Sequence, residues 1–305
     1  MKAKMLIVAL LAAITLPLVG CDNNSSTAAT TNGKKVVVAS KNFTEAVLIG
    51  EMYAQLLEAN GIPVDKTKIN LNDTAPVHAA LIKGDIDLYP EYTGTGLTVI
   101  LKKDVIPDAQ KTYDTVKADY ASQFKLTWLA YSPMNDTQAI AMKKADADAL
   151  GIKTMSDFVA KSDQITLLST AEFDTRPDGI PGIEKAYGKL NLKGKVDLEN
   201  SIKYKSLADG KGNAVIAYST DGAISGQGLL VLQDDKKLWP PYNVAPVVRD
   251  DILNTYPKIK DVLDGLAPKI TNDAIATMNW QVDGPTKAKP ADVAKKFLQE
   301  QGLLK

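Results

Sequence analysis

From residue 35 onward, apolar positions alternate between a strand period and a helix period. Val36-Val37-Val38-Ala39 is a β-branched run suited to a buried strand. Over 44–60 the apolar residues Val47, Leu48, Met52, Leu56 and Leu57 recur at helical spacing, and Gly61 stands where such a helix would stop. The pattern continues with a strand at 68–71, a helix at 76–82 and a strand at 86–89. That order implies right-handed crossovers and a largely parallel sheet, whose strand-end loops are where ligands bind. A helix over 110–124 and strands at 125–129 and 138–142 follow, the strands separated by the turn-rich "YSPMNDT" at 131–137. The alternation resumes with a helix at 154–160, a strand at 164–168, a helix at 182–187 and a strand at 213–218. "WPPYN" at 239–243 is a second break, before a strand at 244–248. The tail reads as helices at 250–263, 272–280 and 291–301, which need a sheet to cover. The expected fold class is therefore α/β with two lobes joined by two crossovers and a ligand cleft between them. Lobe 1 is expected at 35–135 plus 243–305, with lobe 2 inserted at 136–242. No repeat of solenoid period is visible.

The N-terminus departs from this pattern. Lys2 and Lys4 precede an almost unbroken apolar run over 5–19, which ends in Leu18-Val19-Gly20-Cys21 and gives way to a polar tract. The segment resembles a bacterial lipoprotein signal with its lipobox. That resemblance implies removal of 1–20, acylation of Cys21, a flexible tether over 21–34, and an extracytoplasmic protein held to the membrane by lipid, on the periplasmic side in a Gram-negative cell. Cys21 is the only cysteine, so neither a disulfide nor a thiolate metal cluster can form within the chain. Beyond it, no apolar run approaches the length of a membrane span. The 305 residues are 45% hydrophobic and carry 36 basic against 36 acidic side chains. The size allows proper cores, and the charge balance argues against a generalised attraction to nucleic acid. A monomer is expected.

Catalytic chemistry finds no constellation. His78, the only histidine, lies in an expected helix beside Val77 and two alanines. No G-x-S-x-G, H-E-x-x-H or cysteine cluster accompanies it, so neither a nucleophile elbow nor a zinc site is expected. Asp85, Asp87 and Glu91 lack an EF-hand frame. The glycine-rich stretch at 222–228 lacks a P-loop lysine, so no metal or cofactor is called for. Loop positions instead collect Lys41, Tyr89, Tyr92, Thr93, Thr95, Arg176 and Tyr218, with Asp136 and Tyr242 at the crossovers. Tyrosine faces attract a cation that is hard to hydrate, above all a quaternary ammonium, while Lys, Arg and a Thr hydroxyl suit a carboxylate. A small zwitterion would match both halves.

The stretches "ASKNFTEAVLIGEMYAQLLEANG", "ALIKGDIDLYPEYTGTG", "STAEFDTRPDG", "AYSTDG" and "PPYNVAPVVR" together resemble the osmoprotectant-binding proteins of ABC importers, of the glycine betaine/choline type. The resemblance runs from about Val36 to the C-terminus. It implies a type II periplasmic-binding fold that closes over a quaternary-ammonium solute and hands it to an ABC permease. It assigns the solute's carboxylate to Lys41, Thr95 and Arg176, and its trimethylammonium group to Tyr92, Tyr218 and Tyr242, with Asp136 lending charge nearby. Tyr89 is added from the loop itself.

One position departs from the family pattern. An aromatic commonly follows Asn-Asp-Thr and walls the cage, whereas this chain has Gln138. A carboxamide offers hydrogen bonds where a ring offers its π face, and loss of one wall removes about 0.5–2 kcal/mol of cation–π attraction. Two alternatives therefore stand beside the first reading. One is the same fold with a more polar, amino-acid-derived or betaine-like ligand. The other is an extracytoplasmic enzyme, which would need a Ser or carboxylate beside His78.

Overall fold

The computed structural model describes residues 34–305. The signal-like segment 1–20, Cys21 and all but the last residue of the 21–34 tether lie outside the described residues. The first half of the chain gives β1 (Val36–Lys41), α1 (Thr44–Ala59), β2 (Val64–Asn72), α2 (Thr74–Lys83), β3 (Leu88–Tyr92), the helical turn α3 (Thr93–Thr95), α4 (Ala109–Phe124) and β4 (Leu126–Trp128). It continues with β5 (Gln138–Lys143), β6 (Thr166–Ser169), β7 (Gly194–Asp197), β8 (Ala214–Tyr218), β9 (Leu229–Val231) and β10 (Val244–Arg249).

The strands form two five-stranded sheets, ordered β2-β1-β3-β10-β4 and β7-β6-β8-β5-β9. β1 lies parallel to β2 and β3, β6 lies parallel to β7 and β8, and β5 and β10 run antiparallel to both of their neighbours. Each sheet is the centre of one α/β lobe. The chain leaves the first sheet after β4 and returns to it only with β10, so all strands of the second sheet fall between those two points. The two connecting segments run side by side. Asn135 and Asn243 form an antiparallel bridge, Asn135 Oδ1 accepts from the Tyr242 amide at 2.7 Å, and the Asn243 side chain donates to the Met134 carbonyl at 2.9 Å. The tail helices Asn272–Asp283 and Pro290–Glu300 pack on α1, where Gln55 donates to the Ala291 carbonyl at 2.9 Å.

Three local features differ from the sequence expectation. "DLYPEYTGTG" is not a loop. It is the fully buried strand β3 through Tyr92, followed by α3 and a π-helical stretch at Gly96–Ile100. Pro90 is tolerated there because it faces Pro246 of β10 in register. Neither proline can donate, so this must be a non-hydrogen-bonded pair of the antiparallel ladder, where no cross-strand N–H is needed. The helix expected over 250–263 is instead two, Asp250–Thr255 and Lys258–Leu266. Pro257 separates them by driving Tyr256 out of the helical region (φ −128°, ψ 70°). The short strands β7 and β9, at the edges of the second sheet, carried no legible pattern in the sequence.

Candidate functional site

Strand ends from both sheets converge on one small cavity. Lys41 is the last residue of β1, Tyr92 the last of β3, Gln138 the first of β5 and Tyr218 the last of β8. Thr95 ends α3, Arg176 follows the short helix Ala171–Thr175, and Asp136 and Tyr242 come from the two connecting segments. All eight line the cavity, together with Phe43, Thr74 and Glu172. Gly94 lets α3 approach Tyr242: a Cβ there would lie 2.7 Å from the ring and 2.9 Å from the Pro241 carbonyl oxygen.

One end of the cavity is basic, with its charges already paired. Arg176 Nε lies 2.5 Å from Asp178 Oδ1, and its Nη2 lies 2.9 Å from Oδ2 and 3.3 Å from the Thr95 hydroxyl. Those contacts leave Nη1 for a ligand. Thr98 Oγ1 sits 3.0 Å from Asp178 Oδ2, and the Tyr242 hydroxyl donates to the same oxygen. Burial alone would push the Asp178 carboxyl up, but Arg176 and the two hydroxyls outweigh it and hold the group below its ordinary value. Lys41 Nζ lies 2.6 Å from Glu91 Oε1 and 5.1 Å above the centre of the Tyr92 ring.

The other end is acidic, and its charges are not paired. The Tyr92 hydroxyl donates to Glu45 Oε1 at 2.7 Å and Asn279 donates to Glu45 Oε2 at 3.2 Å. Thr220 Oγ1 lies 2.5 Å from both Glu45 Oε2 and Asp136 Oδ1. A hydroxyl carries a single proton, so two such short contacts require a proton on one of the carboxyls. Burial pushes both acids above their ordinary values, Asp136 strongly, with repulsion from Glu45 and Asp221 added at Asp136 and from Asp221 at Glu45. Neither makes an ion pair among the described residues.

Aromatic rings stand between the two ends. Phe43 stacks on Tyr218 (centroids 5.9 Å apart, planes 18° apart) and tilts against Tyr92 at 6.0 Å. Lys203 Nζ lies 4.4 Å from the Tyr218 ring centre and 2.9 Å from Asp221. Gln138, paired in register with Tyr218, is buried. Its Nε2 lies 3.2 Å from the Tyr242 hydroxyl and its Oε1 has no hydrogen-bond partner.

Tyr89 must be corrected. It is fully buried in the core of the first lobe, with its hydroxyl on Glu91 at 2.8 Å, and it does not reach the cavity. Because β3 continues straight through Pro90, residues three apart point to opposite faces, so only Tyr92 looks into the site. His78 also lies off the cavity, packed against Tyr120 and Phe124 with ring centroids at 5.3 and 5.0 Å, and burial lowers its pKa. Among the described residues no group of acidic, His or Cys side chains is arranged to hold a metal. Sequence reasoning missed Phe43, Glu45, Asp178 and Thr220. Phe43 was the most findable, two residues beyond Lys41 on a strand-end loop. Asp178 stands two residues from Arg176, the spacing of a bidentate pair across a turn.

The family model "Substrate binding domain of ABC-type glycine betaine transport system" matches residues 34–300. The chain belongs to this family. Among curated relatives, the ergothioneine transport permease/ergothioneine binding protein EgtU of Helicobacter pylori is 35% identical over 88% of this chain, which spans about half (48%) of that longer protein. The glycine betaine-binding protein YehZ of Escherichia coli is 32% identical over 97% of this chain and 96% of its own length. A crystal structure described as a glycine betaine/carnitine/choline ABC transporter superposes with a TM-score of 0.70 at 28% identity, covering 88% of this chain and 99% of that one. The α/β lobes are thus those of a glycine betaine-type substrate-binding domain.

Proposed function

We propose that this protein captures a small quaternary-ammonium solute outside the cytoplasm and delivers it to the permease of an ABC importer. The observation that carries the reading is the asymmetry of the cavity. Tyr92, Tyr218, Tyr242 and Phe43 line it beside the buried Asp136 carboxyl, which lacks a cation and shares the Thr220 hydroxyl with Glu45, whereas the charges of Arg176 and Lys41, which line it with Thr95, are already paired. A trimethylammonium group binds by π faces and diffuse charge with no N–H to satisfy, and a carboxylate suits the free edge of Arg176. The names of the relatives are in keeping with this, since glycine betaine, carnitine and ergothioneine all carry both groups, and choline carries the cation alone.

In this reading the lobes are 35–135 with 243–305, and 136–242, and they close over the solute about the paired connecting segments. Acylation of Cys21 holds the monomer at the membrane, with 21–34 as its tether. No catalytic role is assigned. Calorimetric titration of ligand-stripped protein with glycine betaine, choline, carnitine and ergothioneine tests the binding claim, and absence of heat with all four would end it. Mass spectrometry of the mature N-terminus tests the anchor, which requires acyl chains on Cys21.

A further inference from the structure

The direction of the hydrogen bonds across the cavity floor fixes what Gln138 shows to a ligand. Asp178 is a carboxylate, held by two bonds from Arg176, so it only accepts. The Tyr242 hydroxyl therefore spends its proton on Asp178, and its oxygen must receive from Gln138. Only the Nε2 end of the amide can give that bond. The alternative, with the amide turned round, would set two acceptors against each other. Gln138 Oε1 is then the end left over. It is buried, without a partner, on a residue that lines the cavity and is 2% exposed.

We infer that the solute held in this site carries an N–H or O–H donor that meets Gln138 Oε1, so that the protein selects hydroxylated or N–H-bearing quaternary-ammonium compounds over donor-free ones. This rests on the proposal that the cavity binds such cations, and deepens it. Glycine betaine has only methyl groups and carboxylate oxygens, so it leaves the carbonyl stranded inside a closed site. A buried acceptor left unmade costs enough to separate two otherwise equal ligands by about tenfold to a hundredfold. The position also explains why a ring is dispensable there: Phe43 supplies an aromatic surface between Tyr92 and Tyr218, and residue 138 is released for recognition.

Matched pairs test the inference by titration calorimetry on ligand-stripped protein. Carnitine differs from γ-butyrobetaine by one hydroxyl, choline differs in the same way from ethyltrimethylammonium, and histidine betaine presents a ring N–H where phenylalanine betaine has none. At least one donor-bearing member is expected to bind tenfold or more tightly than its twin. In Gln138→Leu that ligand should lose its advantage, while γ-butyrobetaine and glycine betaine tighten severalfold. Gln138→Met, closer in shape, repeats the measurement if the leucine variant does not fold. Equal affinities within all three pairs would overturn the inference, as would an advantage that survives in the variants. If none of these cations binds at all, the reading of the cavity itself fails; binding without discrimination refutes only the role of Gln138.

Discussion

At the Arg176 end of the cavity each buried charge has its partner, whereas at the Glu45 end two carboxyls share one threonine hydroxyl and meet no cation. The first arrangement is rigid and complete before any ligand arrives: Arg176, Asp178, Tyr242 and Thr98 fix one another's positions. The second is strained electrostatically, because desolvation raises the cost of each negative charge and no lysine or arginine offsets it. A neutral-looking cavity acquires a direction in this way. A zwitterion entering with its cation toward Asp136 relieves the strained end, and entering the other way relieves nothing.

Disrupting the fully paired end should do the most damage. Arg176→Ala strands a buried Asp178 carboxylate, which should destabilise the protein by about 3–5 kcal/mol in denaturant unfolding and abolish solute binding. A variant of near-native stability would show that the pair is not the anchor described. Next, Gly94→Ala drives a methyl group into the Tyr242 ring and should cost about 1–3 kcal/mol of stability, with weakened binding, because the floor of the cavity must shift. Unchanged melting would mean α3 moves freely.

The strained end makes a prediction about pH. Asp136 and Glu45 hold protons more tightly in the fold than in the unfolded chain. Their contribution to stability is therefore fully present below the ordinary carboxylate range and is lost as pH rises through the raised values. A bound quaternary cation favours the carboxylate form. Affinity should accordingly rise with pH across that window, by up to about tenfold per pH unit for one proton released. Calorimetry in buffers of different ionisation enthalpy reads the proton directly, and Asp136→Asn should flatten the slope. A pH-independent affinity in the native protein would remove proton exchange from the picture. The smallest effect separates ring from hydroxyl: Tyr218→Ala should lose about 0.5–2 kcal/mol of binding and Tyr218→Phe much less, since the face does the holding. Equal losses would contradict the cage.

The legible parts of this molecule were those whose cause is local. β1, β8 and β10 are runs of apolar residues, and α1 and α4 carry their own periodicity, so a short window suffices. Lys41 and Tyr92 stood out at strand ends, and Arg176 at the end of a short helix. What could not be read depends on distant partners. Glu45 looks like an ordinary acidic residue in the first turn of a helix, and only contact with Thr220, far along the chain, makes it half of a proton-sharing pair. Tyr89 and Tyr92 are alike in sequence. The register of β10, which places Pro246 opposite Pro90, keeps β3 straight and sends the Tyr89 ring into the core and the Tyr92 ring to the cavity.

The position of β10 also governs how the protein is made. It lies in the interior of the first sheet, between β3 and β4, yet it is synthesised after every strand of the second. β3 and β4 have no direct pairing to fall back on while the chain is growing. The second lobe can complete its sheet first, and the first lobe must wait, open along its middle, until residues 244–249 emerge. The strand that closes the first lobe is thus the last of the ten to leave the ribosome.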